Sequence, residues 1–328
     1  MFSWVSPRLR PFLRMTLVAA GIPVLAAGFA AVSGKGARAD GSEADKAEQN
    51  ERCAVRLSIA LVGKSPDAAL FSNANPQSAI DAMIETPEFA ERYARFINAQ
   101  FNGGPATSAA EDPIYYLAKY VITNNKPWTD LFNGPYNVAA AGTTSMTVAA
   151  DANGLGYFRS NAWRVRYAGN EEKGYMLSGA FRIFSNMTNL TLTPSVGNPG
   201  DDRTANGRAQ GVCKTCHYDS YFALDKVARV LPMKKVAADG TISFAAPTEG
   251  PQQLLGKSIT DDKMLVNTII ESDAYRFAQC RAVFNFLYGR DENQCEAPVF
   301  DACVAALSEK KTIKAAVAAV AKDPGFCR

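Results

Sequence analysis

Residues 213–217 read Cys213-Lys214-Thr215-Cys216-His217, and the reading of this stretch decides what kind of fold surrounds it. Two thiols with two residues between them, followed at once by an imidazole, form the C-x-x-C-H pattern of covalent haem attachment. Each position has a chemical task. The thiols add across the two vinyl groups of the porphyrin as thioethers, and the gap sets the sulfur spacing to that of the vinyls. The His after the second Cys is then held beneath the iron as proximal ligand. His217 is the only His in the chain, which carries seven Cys in 328 residues. A chance match in such a composition is expected in roughly one chain in two thousand. Cys213, Cys216 and His217 are therefore the expected cofactor-binding residues, His217 the expected metal ligand, and one covalently attached haem c the expected cofactor.

Two other chemistries use a C-x-x-C pair. A zinc corner needs two further ligands. No second His exists, and Cys280, Cys295, Cys303 and Cys327 lack ribbon-like spacing. A redox dithiol of the thioredoxin kind needs an α/β sheet around it, and the sequence shows few strand signals.

Outward from the motif, Thr191–Arg208 is rich in Gly, Pro, Asp and Asn and reads as a long loop, while Tyr218–Val230 reads as a helix. Residues 234–260 read as loop again. From Asp261 to Tyr288 a continuous helical pattern carries Leu265, Ile269, Tyr275, Ala278, Ala282 and Phe286 inward and ends at Gly289. Shorter helices are expected at about 298–307 and 311–322. Upstream, residues 40–50 read as loose, and a helical pattern begins at Glu51 with Ala54, Leu57 and Leu61 on one face. Asn75-Pro76, Thr86-Pro87 and Asp112-Pro113 each place a capping residue before a first-turn proline. The helix opened by Thr86 presents Phe89, Tyr93, Phe96, Ile97 and Phe101 inward. Residues 139–158 are irregular with a short strand; their Gly154-Leu155-Gly156 lacks the third glycine of a dinucleotide fingerprint. Residues 176–187 read as helix. The predicted fold is mainly α and multi-helical, with a cytochrome c-like haem region and long irregular loops. Two lobes are expected, a helical one over 40–140 and a haem-binding one over 141–328.

Residues 1–39 read as an export signal. Arg8, Arg10 and Arg14 precede an apolar run from Met15 to Val32, and Ala37-Arg38-Ala39 supplies small residues before Asp40. An uncleaved anchor is the alternative reading of that run. Removal of these residues leaves 30 basic against 32 acidic side chains. Near-neutrality gives no electrostatic basis for nucleic-acid binding, and no later segment is apolar enough for stable membrane insertion. The expected location is therefore periplasmic or secreted, where the other five Cys suit an oxidising environment. Two disulfides and one leftover thiol are expected among Cys53, Cys280, Cys295, Cys303 and Cys327. Cys295 and Cys303 are near enough in sequence to bridge a short loop, and the pairing stays open.

Several stretches together resemble the planctomycete-type secreted cytochrome c family. RLSIALVGKSPDAAL (56–70) is similar to its opening stretch, TPEFAERYARFINAQF (86–101) to its S-P-x-[FY]-x-E-R-[WY]-A helix, and LAKYVITNNKPWTDLF (117–132) to its N-x-P-[YW]-T-[ED]-L segment. CKTCHYDSYFALD (213–225), CRAVFNFLYGRDE (280–292) and TIKAAVAAVAKDPGF (312–326) resemble its haem site, its C-terminal Gly-Arg helix and its closing helix. The chain departs from the family after the haem motif, where Asp219 is followed by Ser220 instead of Pro. The resemblance implies an exported mono-haem protein and no defined reaction.

With no second His, a Met is the expected sixth ligand of an electron carrier. The chain beyond residue 39 offers Met83, Met146, Met176, Met187, Met233 and Met264, of which Met187, Met233 and Met264 flank the motif best; a core role is the ordinary fate of each. Electron transfer with a redox partner protein is the leading expectation. The alternatives are a haem enzyme or gas-binding protein with an open sixth site (peroxidase-like), and a module whose aromatic-rich N-terminal lobe docks an oxidoreductase. Arg182, Arg203 and Arg208 are candidates to meet the haem propionates.

Overall fold

The cap-and-proline signals become helix starts in the computed structural model, which describes residues 43–102, 112–142, 145–171, 173–192 and 200–328. The signal-peptide reading of residues 1–39 lies outside the described residues. So does part of the loop expected over 191–208. Helices α1 (Glu43–Val62), α2 (Ala68–Phe71), α3 (Ile80–Ile84), α4 (Pro87–Asn102), α5 (Pro113–Thr123) and α6 (Asp130–Asn133) follow in order. Helix α1 starts eight residues earlier than expected, so 43–50 are helical. Glu43 and Asp45 in its first turn complement the N-terminal end of the helix dipole.

The region expected to be irregular forms a hairpin, with β1 (Tyr136–Ala140) antiparallel to β2 (Met146–Ala150) in the register Val138 to Val148. Gly156 follows it against α6. Its φ is +49°, and a Cβ there would lie 2.4 Å from the Leu131 carbonyl oxygen, so this glycine serves close packing. Helices α7 (Asn161–Arg166), α8 (Leu177–Thr188), α9 (Ala205–Arg208) and α10 (Leu224–Ala228) lead to and past the Cys motif.

Residues 234–260, expected as loop, build two further hairpins. Strand β3 (Met233–Val236) pairs with β4 (Ile242–Ala245), and β5 (Gln252–Leu254) with β6 (Lys257–Ile259). Each is a separate two-stranded sheet among the described residues.

The helix expected over 261–288 is two helices, α11 (Asp262–Ile270) and α12 (Asp273–Tyr288). The Ser272 hydroxyl accepts the Tyr275 N–H at 3.3 Å and caps the second. Helices α13 (Ala297–Lys310) and α14 (Ile313–Ala321) close the fold, which is mainly helical.

The core is shared across residue 140. Phe89, Tyr93 and Phe96 of α4 meet Phe286 of α12, and Tyr93 also meets Trp128 edge-on at 5.7 Å. Residues 41–328 form one compact unit, with no boundary at 140. Two disulfides bind it, Cys53–Cys327 and Cys280–Cys303, the latter joining α12 to α13. Their number matches the expectation. The short Cys295–Cys303 bridge does not form: Cys303 is buried facing α12, and Cys295 is left exposed as a thiol. Among the described residues no helix is long and apolar enough to cross a membrane. The disulfides are compatible with an exported protein.

Candidate functional site

The Cys motif sits on a widened helical turn. Residues Thr215–Asp219 form a π-type turn, in which the Ser220 N–H reaches back five residues to the Thr215 carbonyl at 2.9 Å. The helix expected over 218–230 is therefore interrupted. Ser220 is extended, Ala223 has a φ of +22°, and only then does α10 begin. This break turns the chain back on itself. It brings Asp225, in the first turn of α10, up against His217.

His217 Nδ1 lies 2.7 Å from Asp225 Oδ2. Asp225 is buried, at 4% exposure, and takes two hydrogen bonds from Arg208, from Nε to Oδ2 at 3.0 Å and from Nη2 to Oδ1 at 2.9 Å. Arg208 in turn donates to Glu171, from Nη2 to Oε1 at 2.8 Å and from Nη1 to Oε2 at 3.2 Å, and from Nη1 to the Arg203 carbonyl at 2.5 Å. A guanidinium has five N–H donors, and here all are used. Arg208 is thus committed to protein carboxylates and is not available to meet a propionate, as the sequence reading had it. Arg182 instead lies over the Tyr167 ring at 5.2 Å, and Arg203 is exposed.

Glu171 is placed by the segment before α8. The Lys234 N–H of β3 donates to the Gly174 carbonyl at 2.9 Å, and Lys234 Nζ to the Gly169 carbonyl at 2.6 Å. Gly174 has a φ of +82°, and a Cβ there would meet the Lys234 carbonyl oxygen at 2.2 Å, so the contact requires glycine. The hairpin of β3 and β4 thereby clamps the loop that carries Glu171.

The proton positions follow from this arrangement. Burial raises the pKa of Asp225, but the hydrogen bonds from His217 and Arg208 outweigh it and hold the carboxyl below the ordinary aspartate value. Arg208 is pulled down by burial and pushed up more strongly by Asp225 and Glu171, so it stays charged. An ionised Asp225 has no proton to give, so His217 Nδ1 is the donor. In neutral His217 the lone pair is then on Nε2, the nitrogen turned away from the carboxylate.

Cys213 and Cys216 are half-buried and outside any disulfide. Large apolar side chains lie open beside the motif: Val212 is 82% exposed and Tyr221 57%. The zinc alternative loses its ligands here, because Cys53, Cys280, Cys303 and Cys327 are consumed by disulfides. Among the described residues no group of three or more His, Cys, Asp and Glu converges on a metal-sized site. The dithiol alternative lacks its sheet, since the described strands form only hairpins.

The methionines are distributed differently from the thiols. Met187 is fully buried in α8, Met233 is buried with Thr248 Oγ1 at 3.4 Å from its sulfur, and Met264 is partly exposed on α11. Met176 is also fully buried, and Met83 and Met146 are largely so. Asp225 and Glu171 were not singled out from the sequence; their only signal was an acidic residue eight positions past the His and another in a Gly-bounded loop. No family model, no curated protein and no solved structure matches the chain.

Proposed function

We propose that this chain is an exported c-type cytochrome that carries one haem and moves single electrons to and from a redox partner protein. The observation that carries the reading is the state of the C-x-x-C-H residues. Four other Cys are paired, while Cys213 and Cys216 are left as thiols beside a His whose Nδ1 is anchored and whose Nε2 lone pair is free. That donor set suits haem: two thiols for the vinyl groups, one imidazole nitrogen for the iron. Val212, next to Cys213 in the chain, and Tyr221, four residues past His217, add exposed apolar surface close to the motif in sequence. When bound, the haem supplies one-electron chemistry; the chain supplies attachment at Cys213 and Cys216 and a proximal ligand at His217. The resemblance to the planctomycete-type secreted cytochromes agrees with this reading and adds no reaction to it.

An absorption spectrum of the protein, purified from a host that matures c-type cytochromes, tests the proposal. Sharp reduced bands that do not respond to carbon monoxide mark a six-coordinate carrier. A high-spin spectrum that shifts with carbon monoxide replaces electron transfer by catalysis or gas binding. The absence of any haem bands contradicts the reading altogether.

A further inference from the structure

His217, Asp225, Arg208 and Glu171 form one chain of hydrogen bonds, and its charge does not cancel. Two carboxylates face a single guanidinium, so with His217 neutral the cluster carries one net negative charge. Lys214 and Asp219, exposed and 3.4 Å apart, balance each other, and Arg229 lies 3.7 Å from Glu249. Asp225, the more buried of the two carboxylates, is the one in contact with the imidazole. A positive charge on the other side of that imidazole is what such a cluster stabilises.

We propose that Asp225 is a positioning residue that holds the Nδ1–H of His217 and, through the imidazole, lowers the reduction potential of iron bound at Nε2. This rests on the haem reading above. The physical basis is general: a carboxylate accepting the second N–H of a ligating His fixes its ring and raises its basicity. A more basic ligand and an adjacent negative charge both favour the oxidised, more positive iron over the reduced one. Arg208 keeps Asp225 ionised and in place, and Glu171, held by the β3 clamp, keeps Arg208 in place.

The test is the midpoint potential of wild type against Asp225→Asn, with haem content measured on both. Asn is nearly isosteric and keeps an acceptor oxygen for Nδ1–H; its amide nitrogen replaces the oxygen that accepts from Arg208 Nη2, so that bond is lost together with the charge. At a fixed ambient potential the reduced-to-oxidised ratio of D225N is expected to rise by tenfold or more, a positive shift of at least 59 mV for a one-electron couple. Asp225→Glu, which restores a carboxylate, is expected to move back toward wild type. Equal potentials in loaded wild type and loaded D225N overturn the proposal while the haem reading stands. A wild-type protein without haem overturns the haem reading itself. Should D225N be recovered without haem, Arg208→Leu combined with Asp225→Leu and Glu171→Gln removes all three charges of the cluster together and leaves no unpaired ion. The same positive shift is expected of it; an unchanged potential, or failure of both variants to load, assigns the cluster a structural role only and overturns the proposal.

Discussion

Trp128 Nε1 donates to Gln279 Oε1 at 2.8 Å in the middle of the core, and Gln279 Nε2 reaches the Met187 carbonyl at 3.3 Å. One buried amide thus joins the segment before α6, helix α12 and the end of α8. Trp128→Phe keeps most of the apolar volume and leaves Gln279 Oε1 without its donor, at a cost of about 1–3 kcal/mol. Replacing Gln279 by Leu in the same protein should cost less than the sum of the two single changes, because the orphaned acceptor is gone. Urea unfolding of the four proteins of that cycle measures the coupling.

The two disulfides close separations of 274 and 23 residues. Restriction of the unfolded chain predicts losses of about 5 kcal/mol for Cys53→Ala with Cys327→Ala, and about 3 kcal/mol for Cys280→Ala with Cys303→Ala. Chemical denaturation without reductant gives both values, and the larger loss is expected for the first pair.

Glu91 accepts from Lys119 Nζ at 2.7 Å, from Arg95 Nε at 2.9 Å, and from the Tyr115 hydroxyl. Burial raises its pKa, and these bonds overcome that to bring it from 4.5 to about 2. A lowered folded-state pKa stabilises the fold above the ordinary value and ceases to do so as pH falls through the folded value. The stability difference between wild type and Glu91→Gln is therefore expected to be constant above about pH 5, to shrink below 4.5 and to vanish near 2. Because Glu91 is more than a third exposed, solvent screening limits the difference to about 1 kcal/mol or less.

Thiol accounting separates attached from unattached haem. Denatured, unreduced protein is expected to alkylate at Cys295 alone when Cys213 and Cys216 are thioethers, and at all three when they are thiols. Peptide mapping after labelling reads this directly.

Local chemistry makes much of this fold legible in the sequence. Thr86-Pro87 and Asp112-Pro113 do begin helices, and the inward series Phe89, Tyr93, Ile97 and Phe101 is buried as its spacing required. The division at Glu271–Ser272 was hidden because apolar residues keep helical spacing across it. Only the capping hydroxyl of Ser272 marked it, and a Ser before Asp is a weak signal against a continuous apolar face. The hairpins of β3 to β6 escaped notice because their strands are three or four residues long, too short for a period of two to show. At the candidate site the sequence supplied the three residues that are adjacent in the chain. Asp225 depends on the break at Ala223, and Glu171 on the Gly174–Lys234 contact; neither is a local property. Arg208, a candidate for the haem propionates from sequence, binds Asp225 and Glu171 instead, which reach it only through the fold.

The most direct test of the account is the intact mass of the purified protein under denaturing conditions, after acid–acetone extraction of loosely held haem. An increment of one haem is expected, surviving extraction and disappearing when Cys213 and Cys216 are both changed to Ala. A polypeptide mass with no such increment, from a host that matures c-type cytochromes, contradicts it.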